Sequence, residues 1–235
     1  MTVFRGFMAG AGIALVALLA PLSAKADSCG QALAQPDVDV RLEMKPVTHD
    51  FSVGLKTIGS DPAFQPQSMS ENTGHTIGLT KLDVSTHARL VSSGEPRSEG
   101  GYCWSVKTLE FNVVAITTVY VAKEIPRDSC LWREVMSHEN LHVELDQRLF
   151  ARFADYVRPK ILQSMTRTVA AASDNEANAV FEKRIVDAVS GAIDGFRSNR
   201  NARQAAIDSP EEYARFNRVC GDAELSAILT RAGVM

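Results

Sequence analysis

The sequence predicts an α+β protein: a mostly antiparallel N-terminal sheet followed by a helical half that carries an HExxH helix. Three observations predict it. Beyond the first 26 residues, positions from about 38 to 125 hold 11 of the 20 Gly and Pro, together with runs rich in Val, Ile, Thr and Phe. Beyond about 131, apolar residues recur at helical spacing to about 230. The two regions follow one another instead of alternating, which argues against a doubly wound parallel sheet.

In the β-rich part, Leu79 to Val91 alternates imperfectly between apolar and polar residues. Trp104 to Ala122 reads as a strand ending in Thr117-Thr118-Val119-Tyr120-Val121. Asp61 to Gly78, with Pro62, Pro66, Gly74 and Gly78, reads as a loop. Pro126-Arg127-Asp128-Ser129 closes the strand region and opens the motif helix. Helices are expected over about 131–158, ending at Pro159, then about 160–172 and about 174–204, with a short one after Ser209. Ser209-Pro210-Glu211-Glu212 supplies an N-cap, a first-turn Pro and acids that complement the helix dipole, a signature read as purely structural.

The first 26 residues read as a signal peptide. Arg5 precedes an apolar run from Phe7 to Ala20, then Pro21 and the small-x-small site Ala24-Lys25-Ala26. Asp27-Ser28 before Cys29 does not fit a lipoprotein signal. No later segment is apolar enough to span a bilayer, so the expectation is a secreted or periplasmic protein with a single domain over 27–235. Removing Arg5 and Lys25, with no acid, takes the net charge from −3 to −5. A mildly acidic chain without Lys/Arg clusters excludes the electrostatic footprint of a nucleic-acid binder.

Four cysteines in an exported chain read as two disulfides. The expected pairs are Cys103–Cys130, clamping the motif helix to the sheet, and Cys29–Cys220, joining the chain ends.

The chemistry concentrates in His138-Glu139-Asn140-Leu141-His142. On a helix, residues four apart share a face, so both imidazoles reach one Zn²⁺ while Glu139 stands beside it as the catalytic base. With His138 at 0°, Leu131, Val135, Leu145, Leu149 and Phe153 fall within roughly 60° of the histidine pair, so the histidines interrupt an apolar stripe. Arg133, Ser137, Asn140, Glu144, Gln147 and Asp155 take the opposite face. A buried imidazole needs a partner, and a metal satisfies two at once. Two core histidines bonded to neighbours is the competing reading.

The stretch from Trp104 through Phe153, a strand, a Cys, Trp132 and then HENLH, resembles the zincin class of metallopeptidases. It is more loosely similar to bacterial secreted proteins described as predicted zinc-dependent proteases. The resemblance implies metal binding at His138 and His142, a general base at Glu139, and a sheet preceding the helix whose edge strand aligns an extended peptide. Thr117 to Lys123 stands in the place of that edge, with an interior strand as the alternative. The metzincin extension is absent, since Leu145 and Arg148 occupy its Gly and ligand positions. No histidine follows His142. A glutamate-type third ligand is therefore expected from a second helix, with Glu176 in Asn175-Glu176 as the candidate and a first-turn helix acid as its ordinary reading. Asp146 is expected to orient a ligand histidine by accepting its hydrogen bond. Tyr120, Tyr156 and Tyr213 are available oxyanion donors. His49, His75 and His87 read as ordinary histidines.

The expected function is an exported zinc-dependent peptidase acting on a peptide or protein substrate through a metal-activated water. The alternatives are a non-catalytic cell-envelope protein that retains the motif helix, and a zinc hydrolase acting on cell-wall peptides or amides.

Overall fold

One strand organises the molecule. The computed structural model describes residues 29–30, 35–60 and 76–233. The segment expected to be a signal peptide, most of the 61–78 loop and His75 lie outside the described residues. The elements in chain order are β1 (Asp37–Met44), β2 (Thr48–Asp50), α1 (Leu55–Ser60), β3 (Gly78–Pro96), β4 (Tyr102–Val121), α2 (Cys130–Phe150), α3 (Phe153–Ser164), β5 (Val169–Ala171), α4 (Asp174–Ile207), α5 (Pro210–Cys220) and α6 (Asp222–Ala232). A sheet followed by a helical half is the α+β arrangement expected.

Among the described residues all four ladders are made to β4. Antiparallel β3 runs along its whole length on one side. On the other side antiparallel β5 meets Tyr102–Trp104, parallel β1 meets Thr108–Ala115 and parallel β2 meets Thr118–Tyr120. The sheet is thus more mixed than expected, although its longest ladder is antiparallel. It also corrects the edge assignment. Thr117 to Val121 is interior strand, and the edge beside the helices is β3.

Strand alternation sets the layers. Leu109, Phe111, Val113, Ala115, Thr117, Val119 and Val121 all point to one face and are buried there. Helices α2, α3 and α4 cover that face in two apolar clusters. One gathers Phe111, Phe150, Phe153, Val157, Ile161, Phe181 and Ile185; the other gathers Leu55, Ile58, Val121, Ile125, Leu131, Val135 and Ile228. Helix α2 contributes to both, through Leu131 and Val135 at one end and Phe150 at the other. The polar residues of α2 lie between these two anchors.

The long helix expected up to Pro159 is two. α2 ends at Phe150, and α3 restarts at Phe153 with Pro159 inside it. The break brings Phe150 and Phe153 into parallel stacking at 6.4 Å, both buried. No Gly or Pro marks this break, so tertiary packing decides it.

The disulfides are Cys29–Cys103 and Cys130–Cys220, not the expected pairs. Cys103 sits at the start of β4 and Cys130 follows its far end. Eighteen strand residues separate Cys103 from Val121, roughly 59 Å at 3.3 Å each, and nine further residues cannot bring the chain back. Cys130 instead meets the end of α5, and Cys29 meets the start of β4. Two disulfides suggest an oxidising, extracytoplasmic environment. No helix among the described residues is long and apolar enough to cross a membrane.

Candidate metal centre

Ser129 caps α2, its side chain accepting from the Trp132 backbone N–H, and so sets the phase of the helix. That phase buries Leu131, Val135, His138, Glu139, His142 and Asp146 while leaving Arg133, Ser137, Asn140, Glu144 and Gln147 exposed. The histidines therefore face the interior, as do Glu139 and Asp146.

The two imidazoles meet a carboxylate from the far end of α4. His138 Nε2 lies 3.0 Å from His142 Nε2 and 3.0 Å from Asp208 Oδ1, and His142 Nε2 lies 3.1 Å from the same oxygen. Two imidazole nitrogens and a carboxylate oxygen converge on one point, where a ring N–H or a bound cation must stand between them. Nitrogen and carboxylate donors of this kind suit a divalent transition metal. A tetrahedral ion with ligands at about 2.0 Å has donors roughly 3.3 Å apart. The triangle is that size to within a few tenths of an ångström. His138, His142 and Asp208 are thus the candidate metal-binding groups.

Asp208 was not legible as a ligand, yet its position carries a signal. It is the C-cap of α4, whose last turn holds no basic residue. A carboxylate at the negative end of a helix dipole is destabilising unless a cation compensates it. Burial opposes its charged form, but the hydrogen bonds to His138 and His142 outweigh that and hold its pKa well below the usual range. Burial likewise opposes a charged His142, and here Asp208 and Glu139 outweigh it, so its pKa is raised.

Glu139 is buried. The Thr80 hydroxyl, from the start of β3, lies 2.8 Å from Glu139 Oε2 and 3.1 Å from its backbone oxygen. Burial raises the pKa of Glu139 against the pull of both histidines. Gly78 makes the close approach of β3 feasible: a Cβ there would stand 2.5 Å from Val135 Cγ1 and 2.7 Å from Glu139 Oε1.

The remaining partners come from α4 and α5. Gln204 Oε1 hydrogen-bonds His142 Nδ1, and the Gln204 amide nitrogen donates to Asp146 Oδ1 at 2.8 Å. Arg200 donates to both Asp146 oxygens, at 2.7 and 2.9 Å. Asp146 thus orients His142 through an interposed amide, not directly as expected. Glu212 Oε1 lies 3.5 Å from His138 Nδ1 and is held by Arg215, which also reaches Glu134 on α2. Arg215 keeps the Glu212 pKa low. The Ser209–Glu212 start, expected to be structural only, therefore also borders the site.

Glu176 is not part of it. It opens α4, where its exposed side chain accepts from the Ala172 backbone N–H and Ser173 caps its own N–H. Asp208 closes the same helix 32 residues later, roughly 48 Å away at 1.5 Å per residue. Position in the first turn explains Glu176 fully. His49 and His87 are exposed on strands. Tyr156 is 61% exposed on α3. Tyr120 lies on the face of β4 opposite the one that meets α2, and the Tyr213 side chain is outside the described ones. A second grouping, Cys130, Cys220 and Glu224, offers no thiolate because its sulfurs are bonded to each other.

No protein-family model, curated protein or solved structure matches this chain. The motif and its geometry alone carry the functional reading.

Proposed function

We propose that this is an exported zinc-dependent hydrolase that cleaves peptide bonds, with zinc held by His138, His142 and Asp208 and with Glu139 as the base. The observation that carries the reading is the zinc-sized triangle of His138, His142 and Asp208 with a buried carboxylate one residue along the same helix. Bound zinc supplies Lewis acidity for the scissile carbonyl. Thr80 holds one oxygen of Glu139, leaving the other to take a proton from the attacking water and pass it to the leaving amine. Burial raises the Glu139 pKa above the ordinary carboxylate value, the direction that strengthens it as a proton acceptor. β3, paired on one side only among the described residues, is the edge against which an extended substrate would align.

A second reading is a structural zinc site in an envelope protein. The side chains of His138 and His142 are only 5% and 8% exposed, and closed sites are the structural kind. Asp208, at 31%, offers the way in, past the junction of α4 and α5.

Metal content and hydrolysis of a broad peptide mixture, measured on the wild type and Glu139→Gln, separate the readings. The enzyme reading expects zinc in both proteins and hydrolysis lowered roughly 10²–10⁴-fold in the variant. Zinc in both with no hydrolysis by either supports the structural site. Absence of stoichiometric metal rejects both.

A further inference from the structure

We infer that Gln204 is a positioning residue that fixes the ring tautomer of His142 and thereby makes Nε2 its metal-facing atom, an inference that rests on the metal-site reading above.

The argument starts at Asp146. Its side chain is 0% exposed and Arg200 donates to both of its oxygens. A carboxylate so paired is ionised and can only accept hydrogen bonds. The group that approaches Asp146 Oδ1 at 2.8 Å from Gln204 must therefore be the amide NH₂. That choice turns the Gln204 carbonyl toward His142 Nδ1. A carbonyl oxygen only accepts, so His142 Nδ1 must carry the ring proton. In the neutral ring Nε2 then holds the lone pair, and Nε2 is the atom that faces His138 Nε2 and Asp208 Oδ1.

Each link is locked by the one before it. Arg200 and Gln204 stand one turn apart on α4 and both reach the same buried carboxylate on α2. Gln204 is itself 6% exposed, so water does not compete for its amide. With the amide lost, the His142 ring would be free to carry its proton on Nε2, which would point a hydrogen at the metal position. Partners of this kind typically change metal affinity by about 10–100-fold without contacting the ion.

The test uses the full mature chain. Long-range ¹H–¹⁵N spectra of the metal-free wild type should show His142 in its Nδ1–H form whenever the ring is neutral. In Gln204→Met, which keeps length and bulk, the Nε2–H form should appear, and zinc affinity by chelator competition should fall about 10–100-fold. Gln204→Glu restores an acceptor for Nδ1–H and should recover affinity relative to Gln204→Met. Asp146→Asn, which lets the amide turn over, should move tautomer and affinity in the direction of Gln204→Met. If Gln204→Met does not fold, the wild-type spectrum and Asp146→Asn still decide. An Nε2–H ring in the wild type, or wild-type zinc affinity in a folded Gln204→Met, overturns the inference. A fixed Nδ1–H ring with no zinc uptake by any of these proteins overturns the metal reading and leaves the tautomer assignment standing.

Discussion

Gly78→Ala puts two opposed effects on one atom. Gly78 does not adopt a left-handed backbone, so alanine fits its conformation, and Gly→Ala within regular structure gains roughly 0.5–1 kcal/mol from reduced chain entropy. Packing works the other way. The new Cβ would lie 2.5 Å from Val135 Cγ1, where carbon atoms rest at about 3.5–4.0 Å, so the shortfall is about 1 Å or more. Val135 cannot give way cheaply, being 1% exposed and β-branched in a helix, where one rotamer dominates. The start of β3 must therefore move off α2 by about 1 Å, which would stretch the 2.8 Å Thr80–Glu139 hydrogen bond beyond useful range. Overpacking of this size costs about 1–3 kcal/mol, and the weakened bond to a carboxylate adds to it. The expected net loss is about 2 kcal/mol, a fall in Tm of roughly 4–8 °C for a domain of this length. Any hydrolysis that depends on Glu139 should drop about 10²-fold from a displacement of that size. Thermal unfolding by circular dichroism, with Gly59→Ala as the uncrowded control, reads the sign directly. A Tm for Gly78→Ala equal to or above wild type would refute the close approach of β3 to Glu139 described here.

Asp208→Ala should weaken zinc binding by more than the roughly 10–100-fold typical of an outer partner, while Glu176→Gln leaves it unchanged; chelator competition on both variants checks the third ligand. Because burial raises the Glu139 pKa in the folded state, the metal-free fold binds that proton more tightly than the unfolded chain does. Stability of wild type relative to Glu139→Gln should therefore fall as pH rises above the ordinary glutamate value of 4.5, and parallel trends in Tm against pH would contradict it. Chelation of zinc from the loaded protein should lower Tm, since binding to the native state adds to folding free energy. Replacing Cys130 and Cys220 together by Ser should cost about 2–5 kcal/mol in denaturant unfolding and weaken zinc retention; a non-reducing peptide map showing Cys103 joined to Cys130 would refute the observed pairing.

The buried face of α2 was legible because a helix repeats every 3.6 residues, so Leu131, Val135, His138, His142 and Leu145 sort themselves without knowledge of any neighbour. The strands β3 and β4 were legible for the same local reason. What lay beyond local pattern was missed. Asp208 follows His142 by 66 residues and reaches it only because α4 runs the length of the fold and ends there. Glu176 drew the third-ligand assignment through its Asn175-Glu176 setting, and sequence spacing does not say which end of a long helix faces the motif. The interior place of Thr117–Val121 depends on which strands flank β4, and cysteine pairing depends on where a strand of 20 residues ends. The most usable overlooked signal was electrostatic: an aspartate closing a helix that has no basic last turn.

The Cys130–Cys220 bridge closes a covalent ring of chain, and His138, Glu139, His142, Asp146, Arg200, Gln204, Asp208 and Glu212 all fall within it. Once oxidised, the chain carries all three candidate metal donors, His138, His142 and Asp208, on one closed loop, whose ends no longer diffuse apart even when the helices are undocked. A ring of about this length removes roughly 4–5 kcal/mol of conformational freedom from the unfolded state in the chain-entropy model. The local concentration of imidazole and carboxylate around an incoming ion rises accordingly. On the proposed metal reading, oxidation would come first and metal capture second. On that reading a reduced chain is the poorer captor of the ion, and uptake falls to the oxidising compartment in which the bridge forms.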